Sequence, residues 1–313
     1  MYQCLALCLL LSVIMTKTAA ASTQTVEIAT IIPDGTPAAA ALIDFSKFVE
    51  ASTSQRVRFK LKWGGSAGTD PEVLSAIKAG KLQGAMFAGQ IMDQIAPGTR
   101  GGEIPFQFGA DRQKARGFVA KNSATWSKAA AAAGFHNLGF YEVGFVFLCG
   151  KKPVNTVADI KSSKIWLWPG DKLGRSVIEE LKGVPVEVPV QDSFKAFSDG
   201  RIEFAYAPAI ALVALQWYTK ASHVVTDPIS YATGSILIDK KIWNQIAAND
   251  QSLIAKHTEA LLKKLNESAL IDERESLDAL KSMGVKFTSM GPSEAATLSI
   301  VSKSVAKKWQ SGR

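Results

Sequence analysis

Lys164-Ile165-Trp166-Leu167-Trp168-Pro169-Gly170-Asp171 is the stretch on which the reading of this chain turns. Read as a strand, its side chains alternate, so Lys164, Trp166 and Trp168 share one face while Ile165 and Leu167 share the other. A strand buried in an α/β protein normally fills both faces with Val, Ile or Leu. Two tryptophans two residues apart, stopped by Pro-Gly, supply more flat apolar surface than a sheet needs. Two readings stand: a core strand packing two indoles under a helix, or the aromatic wall of a ligand pocket. On this segment alone core packing is the plainer one.

Outward from this stretch, strand and helix signatures alternate. Before it, residues 25–32 are β-branched and alternating and stop at Pro33-Asp34-Gly35. Leu42, Phe45, Phe48 and Val49 then recur at helical spacing. Residues 56–63 alternate strictly, so they predict a strand with one wet face. Gly64-Gly65-Ser66-Ala67-Gly68 is a turn without the Lys-Ser/Thr of a phosphate loop. Thr69-Asp70-Pro71-Glu72 starts a helix, with a cap, Pro in the first turn and an acid at the positive end of the dipole. A short strand over 82–87 leads to a loop beginning at Gly89-Gln90. Residues 103–108 read as extended, because residues before Pro avoid the helical region. A helix over 113–133 precedes a long strand over 137–148, where Gly139 and Gly144 are candidate bends. After the tryptophans, helices are predicted over 172–181, 193–197 and 210–218, and strands over 184–190, 202–206 and 231–238. Residues 240–283 are nearly all helix, broken near Ala248-Asn249-Asp250, before a strand at 285–289 and a helix at 293–310. This alternation predicts α/β architecture with largely parallel sheets.

The 313 residues suffice for two domains with separate cores, and 47% hydrophobic with 20% charged residues is a soluble globular profile. The net charge of +8 would permit an anionic partner. The Lys and Arg are scattered in pairs without interleaved aromatics, which argues against nucleic acid as a partner. The three histidines, His136, His223 and His257, lack metal-ligand spacing. No nucleophile elbow or zinc-protease motif occurs, so neither a catalytic residue nor a metal or other cofactor is expected.

Residues 5–15 are an apolar run of signal-peptide length, followed by the small residues Thr18-Ala19-Ala20-Ala21-Ser22. The run is too short to anchor in a bilayer. Met1-Tyr2-Gln3 carries no basic side chain, an unorthodox start. The expectation is an exported chain whose residues 1–21 are removed. Cys149 then remains as a lone thiol in an apolar run, without an internal disulfide partner.

Several segments together resemble the substrate-binding receptors of tripartite ATP-independent periplasmic (TRAP) transporters, the DctP-like family. The carrying pieces are Gly64-Gly65-Ser66-Ala67-Gly68 with Glu72-Val73-Leu74, and Ile104-Pro105-Phe106-Gln107-Phe108. Gly144-Phe145 with Lys151-Lys152-Pro153-Val154 follows, then Ala158-Asp159-Ile160-Lys161 with Lys164-Ile165. Ala207-Pro208 and Ile238-Asp239-Lys240-Lys241-Ile242-Trp243 complete the set. The resemblance implies an α/β, two-lobed periplasmic binding protein with hinge strands and a long lobe-spanning helix, which closes on its ligand by hinge motion. It implies lobe I at 22–143 and 232–271, and lobe II at 144–231 and 272–313. It also implies delivery of the solute to a membrane permease. By analogy with family members whose pockets are unusual, a periplasmic tetratricopeptide-repeat protein is a further partner.

The departures from the family pattern concern charge. Typical members hold a carboxylate with an Arg where this chain has Trp166, and many place a second Arg where it has Val146. A pocket Asn corresponds to Ala207, beside Tyr206. An Arg fork offsets the desolvation of a carboxylate, and losing one member of a buried charge pair costs about 2–5 kcal/mol. Indoles and aliphatics instead reward apolar surface at roughly 25 cal/mol per Å². The resemblance therefore implies a periplasmic receptor for an apolar or uncharged ligand. Trp166, Trp168, Val146, Tyr206 and Ala207 would line it from lobe II, and Gln90 from lobe I. Three alternatives remain: a quaternary-ammonium cage with Glu142 or Asp171 as counter-charge, a carboxylate held by Lys172 or Arg175, and a sensory or adaptor protein with a vestigial cleft.

Overall fold

One mixed sheet runs through the whole molecule, and two of its strands carry the chain between the halves. The structure is a computed structural model that describes residues 23–311. The expected signal segment, with Cys4 and Cys8, lies outside the described residues. The strands are β1 (Gln24–Ala29), β2 (Val57–Lys62), β3 (Gly84–Ala88), β4 (Phe135–Gly150), β5 (Lys164–Leu167), β6 (Val184–Glu187), β7 (Phe204–Pro208), β8 (His223–Val225), β9 (Ser230–Asp239) and β10 (Lys286–Thr288). They are ordered β2-β1-β3-β9-β4-β7-β5-β6, with β8 on β4 and β10 on β8. The helices are α1 (Pro37–Ser52), α2 (Asp70–Lys78), α3 (Gly89–Ile95), α4 (Arg112–Ala132), α5 (Lys172–Glu180), α6 (Val190–Ser198), α7 (Ala209–Ala214), α8 (Lys240–Gln245), α9 (Ala248–Ser282) and α10 (Ala295–Ser311).

Along its main path the sheet is parallel only at its two ends, and beside that path β10 runs parallel to β8. β1, β2 and β3 form one parallel set and β5, β6 and β7 another. Between them β9 is antiparallel to β3 and β4, and β4 is antiparallel to β7. The expectation of largely parallel sheets is corrected at this centre, where β4 and β9 cross between the halves. The β4–β9 ladder shifts register between Glu142 and Gly144 and continues to Val146, and Gly144 sits at φ 114°, a conformation open chiefly to glycine. A second shift falls between Asn137 and Gly139. Both bends expected at these glycines are present.

Strand polarity places the cleft. β3 runs in the direction of β4, so the carboxyl ends of β1–β3 point toward the second half. β7 runs against β4, so the carboxyl ends of β5–β7 point back. The two sets of strand ends face each other, and in open α/β sheets that is where ligands sit.

Each half has a core on both faces of its part of the sheet. In the first half Val26, Ile28, Phe45 and Phe59 pack beneath α1 and α9, while Phe87, Ile91 and Met92 pack on the other face. In the second half Phe145, Phe147, Trp166 and Trp217 fill one face and Leu148, Ile165, Leu167 and Val177 the other. α9 has 35 residues and so spans about 52 Å at 1.5 Å per residue. It buries Ile254, Leu261 and Leu265 in the first half and Leu280 in the second.

Some local expectations are corrected. Residues 103–108 are extended only in part: Thr99–Glu103 is a 3₁₀ turn and Phe106 sits at φ 59°. Ile104, before Pro105, is extended as a residue before proline should be, but Phe106 N–H then donates to Ile229 O at 2.7 Å and turns the chain. The helix expected over 210–218 stops at Ala214, because Gln216 adopts a left-handed conformation at φ 54°. Gln90 is in the first turn of α3 rather than in a loop.

Candidate functional site

The floor of the cleft is the crossing itself. Val146 opposes Pro208 on one side and Ser230 on the other, while Gly234 lies between Tyr141 and Ala88. One wall consists of the ends of β1 and β3 with the start of α3, where Gln90 is half-buried. The facing wall consists of the segments after β5 and β7. Three large apolar side chains at these strand ends stay exposed: Ile31 after β1, Trp168 after β5 and Ile210 after β7. The crevice lined by Ile104, Phe106, Phe108, Phe145 and Ile229 has no room for a water molecule.

Strand alternation holds through Leu167 and then ends. Trp166 faces Trp217 and Val188 while Ile165 and Leu167 face the opposite core. Trp166 is only 3% exposed, and its Nε1 donates to Val188 O at 2.9 Å. That bond satisfies the indole N–H, as burial of a tryptophan requires. Trp168 lies just beyond β5, is 46% exposed, and meets Trp166 edge-on with centroids 5.5 Å apart. Tyr206 packs against Trp166 at 5.5 Å, and Trp217 does so at 5.3 Å, with its own Nε1 donating to Ser193 Oγ. The structure thus brings Trp166, Trp168 and Tyr206 together. Trp166 serves mainly as core backing, and Trp168 offers the open ring. Val146 and Ala207 are both buried. Phe145, Phe147 and Ala207 belong to one core cluster, so Val146, alternating between the two phenylalanines, faces the other side of the sheet.

Beside the aromatic trio lies a buried ion cluster of which only Asp171 stood out in the sequence. Arg100, 8% exposed, follows α3, where its backbone N–H donates to Asp93. Its Nη1 and Nη2 donate to the two oxygens of Asp171 at 2.7 and 3.0 Å, and its Nε donates to Glu103 at 2.6 Å. Asp171 is the N-cap of α5, accepting Gly174 N–H at 2.9 Å. The pair therefore ties the segment following α3 to the first turn of α5. Burial works against the Arg100 charge, but Glu103 and Asp171 more than offset it and raise its pKa. Burial raises the Glu103 carboxyl above the usual carboxylate range despite the opposing Arg100 charge. The Tyr206 hydroxyl is enclosed beside this cluster without a well-formed hydrogen bond. Burial first, and then the Asp171 charge, raise its pKa and keep its proton on.

A second cluster sits at the hinge. The Glu142 side chain is held by Arg112 and by Arg116, whose Nε and Nη2 donate at 2.9 and 2.7 Å. Arg112 also donates to Glu273 of α9 at 2.6 Å. The register shift leaves the strand amides of Glu142 and Phe145 to α9, which takes them with Asn266 Oδ1 and Glu273 Oε2. The long helix therefore clamps the bend of β4 from both sides.

Residues 28–312 match the family model described as bacterial extracellular solute-binding protein, family 7 (DctP). The chain belongs to this family. Solved TRAP periplasmic solute-binding proteins share its fold. One from Ochrobactrum anthropi, with its C-terminus bound in the ligand-binding pocket, is 20% identical with a TM-score of 0.84, covering 92% of this chain and 90% of its own. One from Desulfovibrio salexigens, with bound orotic acid, is 17% identical with a TM-score of 0.83, covering 92% and 93%. One from Pseudomonas putida F1, with bound D-glucuronate, is 20% identical with a TM-score of 0.82, covering 92% and 94%. This TRAP receptor accordingly has the two-lobed periplasmic binding protein fold, with β4 and β9 as hinge strands and α9 as the lobe-spanning helix.

DctP-family proteins are transport solute-binding proteins rather than enzymes. Among the described residues no group of three or more His, Cys, Asp or Glu could hold a metal ion. Burial pushes the Cys149 thiol up to about 12, so it carries no thiolate at neutral pH.

Proposed function

We propose that this protein is a periplasmic receptor that encloses an apolar or uncharged solute between its lobes and delivers it to a TRAP permease. The observation that carries the reading is the pairing of charge around the cleft. Arg100 is held by Asp171 and Glu103, and Arg112 and Arg116 by Glu142 and Glu273. None of these forks is left free for a carboxylate, and gripping one would orphan a buried protein carboxylate at about 3–5 kcal/mol. The same pairing takes Asp171 and Glu142 away as counter-charges for a cation. Arg175 pairs with Glu187. What the walls still offer is the open ring of Trp168, with Ile31 and Ile210 on the rim, beside the exposed Lys172 at the start of α5. Lobe I comprises 22–143 and 232–271, lobe II comprises 144–231 and 272–313, and residues 1–21 direct export and are removed. A tetratricopeptide-repeat protein as second partner rests on family analogy alone.

The solved relatives named above carry orotic acid and D-glucuronate, so a carboxylate solute is the competing reading. Calorimetric titration against matched acids and amides, D-glucuronate with D-glucuronamide and benzoate with benzamide, separates the two. The proposal expects binding, where it occurs, to favour the uncharged member of each pair. Tight binding of D-glucuronate by the wild-type protein refutes it.

A further inference from the structure

We infer that Asp171 is a specificity-determining residue whose carboxylate fills the Arg100 fork when the two walls meet, so that the protein carries its own acid where an acidic solute would otherwise be gripped. The inference deepens the proposed function and rests on it for the position of the cleft. Three observations carry it. The Arg100–Asp171 contact has the two-pronged geometry with which a guanidinium takes a ligand carboxylate, at 2.7 and 3.0 Å, and both side chains are buried. Its partners come from opposite walls, Arg100 from the segment after α3 and Asp171 from the start of α5, as an enclosed ligand's contacts would. Finally, the Tyr206 hydroxyl is enclosed at the same place, beside the Asp171 carboxylate and the Trp168 backbone.

The consequence is a direct competition. A solute carboxylate reaches Arg100 only by expelling Asp171, which is also bonded to Gly174 N–H as the α5 cap. An uncharged solute meets no such demand. Asp171→Ser separates the two roles of this residue, since serine caps a helix about as well as aspartate but leaves the fork empty. The space it vacates is close to that of formate.

The experiment measures the melting temperature of wild type, Asp171→Ser and the Asp171→Ser/Arg100→Met double variant in formate, chloride and the neutral isostere formamide. Asp171→Ser should gain at least about 3 °C from formate over chloride, from binding to the native state alone. Wild type and the double variant should gain nothing beyond the chloride control, and formamide should be without effect in all three. Refolding yield is the readout where Asp171→Ser does not accumulate folded. Formate should then restore folding, and failure to fold even in formate counts against the inference. An equal response of the single and double variants, or of wild type and Asp171→Ser, overturns it. A wild-type affinity for D-glucuronate that survives Arg100→Met would sink the uncharged-solute reading and leave this inference standing. Absence of an Arg100-dependent formate response sinks this inference alone.

Discussion

Arg100 and Arg112 are both largely buried guanidiniums held by two carboxylates, yet one group lies across the cleft and the other at its hinge. The Arg112 cluster joins α4, β4 and α9, and it meets β4 at the bend where the lobes pivot. Glu273 lies past the lobe boundary at 271, so this cluster also links the two lobes, but it does so at the pivot itself. The members of the Arg100 cluster come from segments on opposite walls, so opening must part them or drag one segment along. The same chemistry therefore fixes a pivot in one place and fills a binding fork in the other. A buried ion pair contributes little net stability against well-packed apolar groups, and breaking one partner is what costs. Location decides what that cost does: at the hinge it falls on folding, at the cleft on closure and selectivity.

This comparison can be broken most forcefully at Glu142. Glu142→Ala leaves Arg112 and Arg116 facing each other without their shared carboxylate, and should cost about 3–5 kcal/mol in urea unfolding. A loss below about 1 kcal/mol would show that the hinge cluster is not the pivot. Trp166→Ala should cost a similar amount, about 3 kcal/mol or more, since it empties a closed core position. The neighbouring Trp168→Ala should change stability by less than about 1 kcal/mol while weakening solute binding. Equal stability losses at the two tryptophans would erase the distinction between backing and open ring.

Arg100→Met comes next, at the low end of the same range, about 3 kcal/mol. The loss is smaller than at Glu142 because Glu103, already raised by burial, takes up a proton and relieves its repulsion with Asp171. Its signature is conformational: small-angle scattering should report a larger radius of gyration than wild type, which Glu142→Ala should not show. A more open Glu142→Ala with an unchanged Arg100→Met would reverse the assignment of the two clusters.

An effect of pH concerns a half-buried group that avoids charge. His136 is stacked on Trp243 at 3.7 Å, and burial lowers its pKa from 6.5 to about 4. The folded state thus binds the proton less readily than the unfolded state does. The stability of the neutral form is complete above about pH 6.5 and is lost as pH falls toward 4. With partial exposure discounted, the loss is about 1–2 kcal/mol. Chemical denaturation across this range should show that slope in wild type and a flatter one in His136→Phe; identical slopes would remove His136 from the account.

Much of the fold was legible because its signals are local. Alternation along 164–167 correctly opposed Trp166 to Ile165 and Leu167, and the stripe of α9 marked a helix long enough to cross both lobes. Gly139 and Gly144 marked the bends of β4, since only glycine adopts such backbone readily. What was not legible is long-range. Arg100 stands 71 residues from Asp171 in the chain, and no periodicity links them. Nor could alternation show that β5 ends at Leu167, because the Pro-Gly that stops it lies beyond Trp168. The antiparallel centre escaped for the same reason: strand direction depends on which strands pair, and pairing is tertiary.

Native mass spectrometry of the protein purified from the periplasm, with extraction and identification of whatever it releases, tests the central claim most directly. The account predicts an apolar or uncharged molecule, lost when Trp168 is replaced by alanine. Release of a carboxylate that requires Arg100 would contradict it.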